Sequence, residues 1–249
     1  MTTDPFRAAS VSAIVEVTGP RPSLDYYLVL AQHGDRDPTG DHPEGIVVEE
    51  FTHHHDHSTT GLDSASWTPA SGWWSSASLS RGLRTDPDAL ARVVPTWRRE
   101  AESVYRTLGG GRLPDETTLR TYFLDHQPIA TAQPLRLGPM QPPDGFHERR
   151  VYRVLFARDL LAEQVADLRA AWQTPVDGAG ASVASGRLDR GGDRFTWELR
   201  RVGHTLAWCL DVTVLLRTAA AGAVGPILSD LTNVLRQHGL IPVTTERFA

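Results

Sequence analysis

The spacing of apolar positions changes twice along this chain. Toward the N-terminus come β-branched runs of strand length: Ser10–Thr18 (SVSAIVEVT), stopped by Gly19-Pro20, then Asp25–Gln32 (DYYLVLAQ) and Gly45–His55 (GIVVEEFTHHH). The last two are joined by a polar segment from His33 to Glu44 and predict a hairpin with a long connection. Residues 58–80, rich in Ser, Thr, Gly and Trp, read as loop or irregular structure. After Asp86-Pro87-Asp88 the period becomes helical, with a short interruption at Arg92–Pro95. Thr96 stands where a cap belongs, ahead of a helix to Leu108 with Ala101, Val104, Tyr105 and Leu108 on one stripe. Three glycines, Gly109 to Gly111, stop that helix, and Pro114-Asp115-Glu116 opens a short one toward Phe123.

Beyond a proline-rich stretch the pattern is clearer. Arg150–Ala157 (RVYRVLFA) predicts a strand, and Asp159 is placed to cap a helix with Leu161, Val165, Leu168 and Trp172 on one face. Ser182–Leu188, Arg194–Val202 and Thr205–Leu216 follow as antiparallel candidates, the last two alternating Phe195, Trp197, Leu199 and Leu206, Trp208, Leu210, Val212, Val214 with period two. A second helix carries Val224, Ile227, Leu228, Leu231 and Leu235 in register and ends at Gly239, and Leu240–Phe248 predicts a final strand.

These elements predict an α+β chain of two units. Residues 1–126 form a mixed antiparallel sheet with helices, with a His-rich strand end and a Trp-rich loop. Residues 127–146, with five prolines, form a linker, because proline removes amide donors and fixes φ. Residues 147–249, ordered β-α-β-β-β-α-β, form a ferredoxin-like unit: an antiparallel sheet, two helices on one face and one strand more than the simple version.

Charge separates the same two parts. Residues 1–146 carry 12 Arg against 19 acidic residues, and residues 147–249 carry 13 Arg against 11. The overall charge of −5 argues against wholesale binding to nucleic acid or an anionic membrane, which requires clustered cations. No apolar run approaches the roughly 20 residues of a membrane span, and Met1–Pro5 has neither a basic n-region nor an apolar h-region. One cysteine, Cys209, and no export signal predict a cytoplasmic protein.

Lysine is absent from the whole chain. All-arginine usage with abundant Ala, Gly and Pro matches a high-GC bacterial genome, so it is not a clue to activity. It nonetheless removes Schiff-base chemistry, pyridoxal phosphate held on lysine and the phosphate-binding lysine of P-loops. A single cysteine removes iron–sulfur clusters and thiolate zinc cages.

Four segments carry candidate chemistry. The first is His53-His54-His55-Asp56-His57. If the strand from Gly45 continues, His53, His55 and His57 share a face with Glu49 and Phe51, and three imidazoles are then ligands for a divalent transition metal or acid–base groups. A solvated polar turn is the competing reading. The second is Trp67, Trp73 and Trp74, which either contact a ligand or partner or fold their loop onto the core. The third is Asp35–Asp41, which opens like a calcium loop but has Ile46 where the bidentate Glu belongs. The fourth is a set of arginines among the aromatics of the C-terminal strands. It lacks the RNP1 pattern of RNA-recognition modules, and its aromatics alternate as a core face does. Glu49 and Glu50 are adjacent, point to opposite faces and cannot work as a pair. No Gly-x-Ser-x-Gly elbow, Gly-x-Gly-x-x-Gly or P-loop is present.

Two functions fit: a non-catalytic interaction or ligand-binding protein, with a protein partner or a second copy meeting the Trp-rich segment, and a metal-dependent or histidine acid–base enzyme acting on a small molecule through residues 53–57. The first is favoured, because only one short segment concentrates convergent polar groups.

Overall fold

The computed structural model describes residues 23–31, 42–130, 141–173, 182–203 and 207–248. The Ser10–Thr18 strand and the Asp35–Asp41 loop lie outside them. Within them the chain is mixed α+β, with two antiparallel sheets of six and five strands and six helices.

The N-terminal sheet runs β4 (Gly72–Ser75), β3 (Thr59–Thr68), β2 (Pro43–His53), β1 (Asp25–Leu30), β5 (Val93–Thr96). A short strand, β6 (His126–Pro128), pairs with β3 beside β4, so the start of the proline-rich stretch is sheet-bound. Residues 58–80 are therefore not irregular: they form β3, β4 and the start of α1 (Ala77–Gly82). Their weak apolar signal has a physical reason. Ser64, Ser66, Ser76 and Ser80 are buried yet satisfy one another, at 2.9 Å (Ser64–Ser76), 2.8 Å (Ser66–Ser76) and 2.5 Å (Ser80–Ser64). Polar groups are tolerated inside when they are hydrogen-bonded.

Along β2 successive side chains face opposite ways, as pleating requires. Ile46 and Val48 join Tyr26, Trp67, Ala101, Tyr105 and Leu119 in a core roofed by α3 (Arg98–Thr107) and α4 (Glu116–Arg120). Val47 faces the other way, into a smaller core with Tyr27, Leu83, Val93 and Ile241. Helix α2 (Pro87–Ala91) starts as its sequence predicts, Asp86 accepting from the amides of Asp88 and Ala89. Helix α3 starts one residue later than expected, because Thr96 pairs with Tyr26 in β5.

The C-terminal sheet has the order β11 (Ile241–Arg247), β7 (Glu148–Ala157), β10 (Ala207–Leu216), β9 (Asp193–Val202), β8 (Ser182–Arg190). Three antiparallel pairings separate β7 from β8, so the two run in opposite directions although α5 (Ala162–Ala171) connects them. One face carries Tyr152, Phe156, Phe195, Leu199, Trp208 and Leu210, buried against Leu168 of α5 and Ile227, Leu231 and Leu235 of α6 (Val224–Gln237). Each such side chain contributes roughly 1.5–3 kcal/mol of burial. Leu161, not Asp159, precedes α5: Asp159 is taken by the Leu160 amide, Arg201 and the Trp208 indole, while Gln164 reaches back to the Leu161 amide.

The two sheets meet where β11 and α6 approach β1, β2 and β3. Ile241 belongs to the smaller N-terminal core, and the Thr245 amide donates to Thr59 Oγ1 at 2.8 Å. Two buried arginines cross this junction in opposite directions. Arg84, just after α1, donates from Nε to the Pro242 carbonyl of β11 at 2.7 Å. Arg236 of α6 donates to the Tyr26 carbonyl of β1 at 3.2 Å.

Candidate functional site

The strand from Gly45 ends at His53, and this decides the fate of the histidine cluster. The His54 amide donates to the Ser58 carbonyl, and the His57 amide to the His54 carbonyl, at 2.8 and 2.9 Å. Asp56 accepts from both the amide and the hydroxyl of Ser58, at 3.0 and 2.6 Å. His57 takes a left-handed backbone, φ 70°. An Asp whose side chain bonds two residues on is turn chemistry, and His is among the non-glycine residues that enter that region. The chain thus turns back into β3 rather than continuing, and His53, His55 and His57 do not line one strand face.

Each histidine ends in a different place. His55 is exposed at the turn. His57 leans onto the C-terminal unit: its ring lies 6.3 Å from that of Tyr152, and a Cβ on Gly225 would stand 2.9 Å from its Cε1. His53 follows Phe51 on the face of Glu49, with ring centroids 6.4 Å apart. Among the described residues no three His, Cys, Asp or Glu side chains group as a metal site would. The three-imidazole metal centre expected from His53, His55 and His57 is not assembled.

A cleft is assembled instead, at the junction of the two sheets, with a volume of about 480 Å³. One wall is the face of β1 and β2 carrying Asp25, Glu49, Phe51 and His53, extended by His57 and Thr59. The other wall is α6, through Gly225, Leu228, Ser229, Asp230 and Asn233. Pro242, Thr244 and Thr245 of β11 close the end between them. This size and mixture, apolar surface with a few polar groups, suits a small molecule.

The charged groups on the floor are arranged in pairs. Asp25 and Glu49 stand opposite each other in the β1–β2 register. Glu49 is held bidentate by Arg84, at 2.9 and 2.6 Å, with both side chains almost wholly buried. Arg236 Nη1 lies 2.7 Å from Asp25 Oδ1 and its guanidinium stacks on the Tyr27 ring at 5.0 Å. Burial would lower the pKa of Arg84, but the adjoining Glu49 carboxylate raises it. For Asp25 burial is the largest influence and raises the pKa, against the opposing pull of Arg236. Glu50, on the opposite face, is held by Arg120 of α4 at 2.8 and 2.9 Å, so the two adjacent glutamates belong to different cores.

The imidazoles on the wall are held toward neutrality. Desolvation lowers the pKa of His53, and His57 adds to it. Desolvation also lowers that of His57, followed by the positive charge of Arg150. Neither ring is hydrogen-bonded to a carboxylate among the described residues. Thr244 is buried, and its hydroxyl has no hydrogen-bond partner among them.

The tryptophans sit elsewhere. Trp67 in β3 is buried with its ring 4.4 Å from Tyr105, and Trp73 in β4 stacks on Tyr122 at 5.7 Å while its indole donates to the Tyr105 hydroxyl at 3.2 Å. Trp74 is half-buried beside them in β4. Sequence reasoning missed Asp25, Arg84, Arg236 and the α6 wall. One signal was available: Arg236 follows Leu235 on the buried stripe of α6, where an unpaired guanidinium is too costly to keep. Comparison of the chain with protein-family models, curated proteins and solved structures returned no match.

Proposed function

We propose that this is a non-catalytic ligand-binding protein that holds a small organic molecule in the cleft between its two sheets. The observation that carries the reading is the cleft itself: about 480 Å³ with an apolar wall and paired charges on the floor. Trp67 and Trp73 pack inside the molecule, which leaves an assembly role with a protein partner or second copy without those rings. A histidine acid–base enzyme is the second reading, favoured by two imidazoles on the cleft wall whose pKa values are lowered. Among the described residues it lacks the carboxylate that would orient either ring for proton transfer. A ferredoxin-like arrangement for residues 147–249, behind a 127–146 linker, and a cytoplasmic bacterial setting complete the proposal. In support, both helices of that part lie on one sheet face, and among the described residues no helix is long and apolar enough to cross a membrane.

The test is mass spectrometry of the native protein beside Ser229→Trp, which fills the cleft from an exposed helix position. The native protein should retain a small-molecule mass that denaturation releases and the variant lacks. Wild-type protein with no adduct, and with no thermal stabilisation by a fragment library that Ser229→Trp abolishes, would exclude the proposal.

A further inference from the structure

A sheet that ends in an open strand offers a row of amides and carbonyls to another chain, and proteins ordinarily shorten, cover or interrupt such edges. Most edges of the two sheets are dealt with in those ways. β4 and β6 are four and three residues long. β5 carries Pro95 and gives its Val93 carbonyl to Arg158 at 2.8 Å. β11 faces the N-terminal sheet, its Thr245 amide on Thr59 and its Pro242 carbonyl on Arg84. β8 is the exception. It has nine residues and no proline, it pairs only with β9 among the described residues, and Arg187 to Arg190 are all exposed.

The hairpin decides which groups that edge offers. β8 and β9 turn on Gly191 and Gly192, at φ 63° and 90°, and Arg190 pairs with Asp193. In a two-residue hairpin the closing pair exchanges hydrogen bonds, and such pairs alternate with unbonded ones. Arg190 and Leu188 therefore bond to β9, while Arg187 and Asp189 turn their amides and carbonyls outward. The side chains of Arg187 and Asp189 share one sheet face, each more than half exposed, with Arg187 folded back on Asp189 at 2.6 Å. Leu188, between them, is 40% exposed on the other face.

This pattern is its own complement. Two copies of β8 laid antiparallel about a two-fold axis through Leu188 set Arg187 of each against Asp189 of the other. The outward amides and carbonyls then meet as hydrogen-bonded pairs, and the two Leu188 side chains meet as an unbonded pair, where side chains stand closest. An axis through Arg187 or Asp189 sets like charges face to face. An axis through Gly186 sets both charges against Val183 and Ser185 and draws in the register shift between Ser182 and Ala184. Exchanging the exposed Arg187–Asp189 contact within a copy for the same contact between copies costs little, because such pairs are weak.

We infer that the edge of β8 is a homodimer interface: a second copy of this chain adds its own β8, centred on Leu188, and the two C-terminal sheets become one continuous sheet. The contact is isologous, as a two-fold requires. No residue of β8 lines the cleft, so the interface stands whether or not the cleft holds a ligand.

The experiment is sedimentation equilibrium of the full chain, carried up to about 1 mM because a contact of a few strand residues is weak. Arg187→Asp and Asp189→Arg are made separately. The first sets acid against acid at both crossings and the second base against base, so each should self-associate about tenfold more weakly than wild type. Mixed together, the two variants are complementary again and should form a heterodimer. Both positions are exposed, and the urea midpoint of each variant checks that it remains folded. Independently of the variants, exchange of the Arg187 and Asp189 amides in the wild type should slow as concentration rises. A wild-type chain that stays monomeric, with amide exchange unchanged, overturns the inference. So does a dimer that neither variant weakens, which places the contact elsewhere. A mixture no more associated than its components excludes this register and overturns it as well.

Discussion

Removing Arg236 tests the junction most directly. The side chain is 7% exposed and serves four partners: the Asp25 carboxylate at 2.7 Å, the Tyr26 carbonyl at 3.2 Å, Asn233 Oδ1 at 3.3 Å and the face of Tyr27 at 5.0 Å. Arg236→Met keeps most of the volume and deletes the charge. Breaking a buried ion pair from one side costs about 3–5 kcal/mol. Asp25 is 19% exposed and borders the cleft, which places the loss at the lower end of that range. The lost carbonyl bond adds about 1 kcal/mol and the ring contact about 0.5–1 kcal/mol, giving a total of about 4.5–5 kcal/mol. For a chain of this size that is a fall in Tm of roughly 9–20 °C. The assay is urea unfolding followed by tryptophan fluorescence, on Arg236→Met, Asp25→Asn and the double variant. The double variant should recover much of the single loss, because the stranded carboxylate is then gone. The pH dependence has a definite sign. An acid whose folded pKa is raised contributes stability below its unfolded pKa and loses it as pH rises through the folded value. Without Arg236, Asp25 is raised further, so the gap between variant and wild type should narrow as pH falls and Asp25 protonates, and widen toward neutrality. A cost under about 1 kcal/mol, or a double variant no more stable than Arg236→Met, would refute the assigned role of the pair.

Two further outcomes are expected. The lowered pKa of His57 favours the neutral ring in the folded protein, so its stabilising contribution is present above the unfolded value near 6.5 and is lost as pH falls through the folded one. His57→Asn, which also accepts the left-handed backbone, should flatten the stability profile between about pH 7 and 5, and the wild-type ring should titrate below 6.5 by NMR. Gly186→Ala would bring a Cβ to 2.5 Å of the Trp197 ring, a rigid neighbour packed edge-on against Trp172, and should cost about 1–3 kcal/mol in the same denaturation assay.

Most of the C-terminal unit was legible because its alternation is strict: Phe195, Trp197 and Leu199 on β9, and Trp208, Leu210, Val212 and Val214 on β10, all face one core. Helix α6 was equally plain from its stripe. Strands β3 and β4 were hidden because serines occupy inward positions and are satisfied by one another, a contact no local pattern announces. The helix caps failed where a tertiary partner competed, as with Thr96 in β5 and Asp159 under Trp208. The candidate site was legible only in fragments. His53 and His57 stood in a segment that attracts notice, but a turn separates them, and it was the Asp56–Ser58 bond that fixed it. Asp25, Arg84 and Arg236 lie far apart in the chain and become a site only through the meeting of the sheets.

The run Ile46-Val47-Val48-Glu49-Glu50 in β2 is apolar on both faces and then acidic on both. A slip of one residue against its neighbours would still set mostly aliphatic side chains against both cores, but would leave a carboxylate for only one of Arg84 and Arg120. Inside–outside polarity along the apolar run therefore discriminates weakly between the native pairing and its shifted alternative. Further discrimination comes from Gly45, where a Cβ would stand only 2.7 Å from the Trp67 carbonyl. A slip drives Glu44 or Ile46 into that carbonyl. One hydrogen atom in place of a side chain thus acts as the index mark of the N-terminal sheet, and a larger residue there would populate misaligned, kinetically trapped chains as well as weaken the native one.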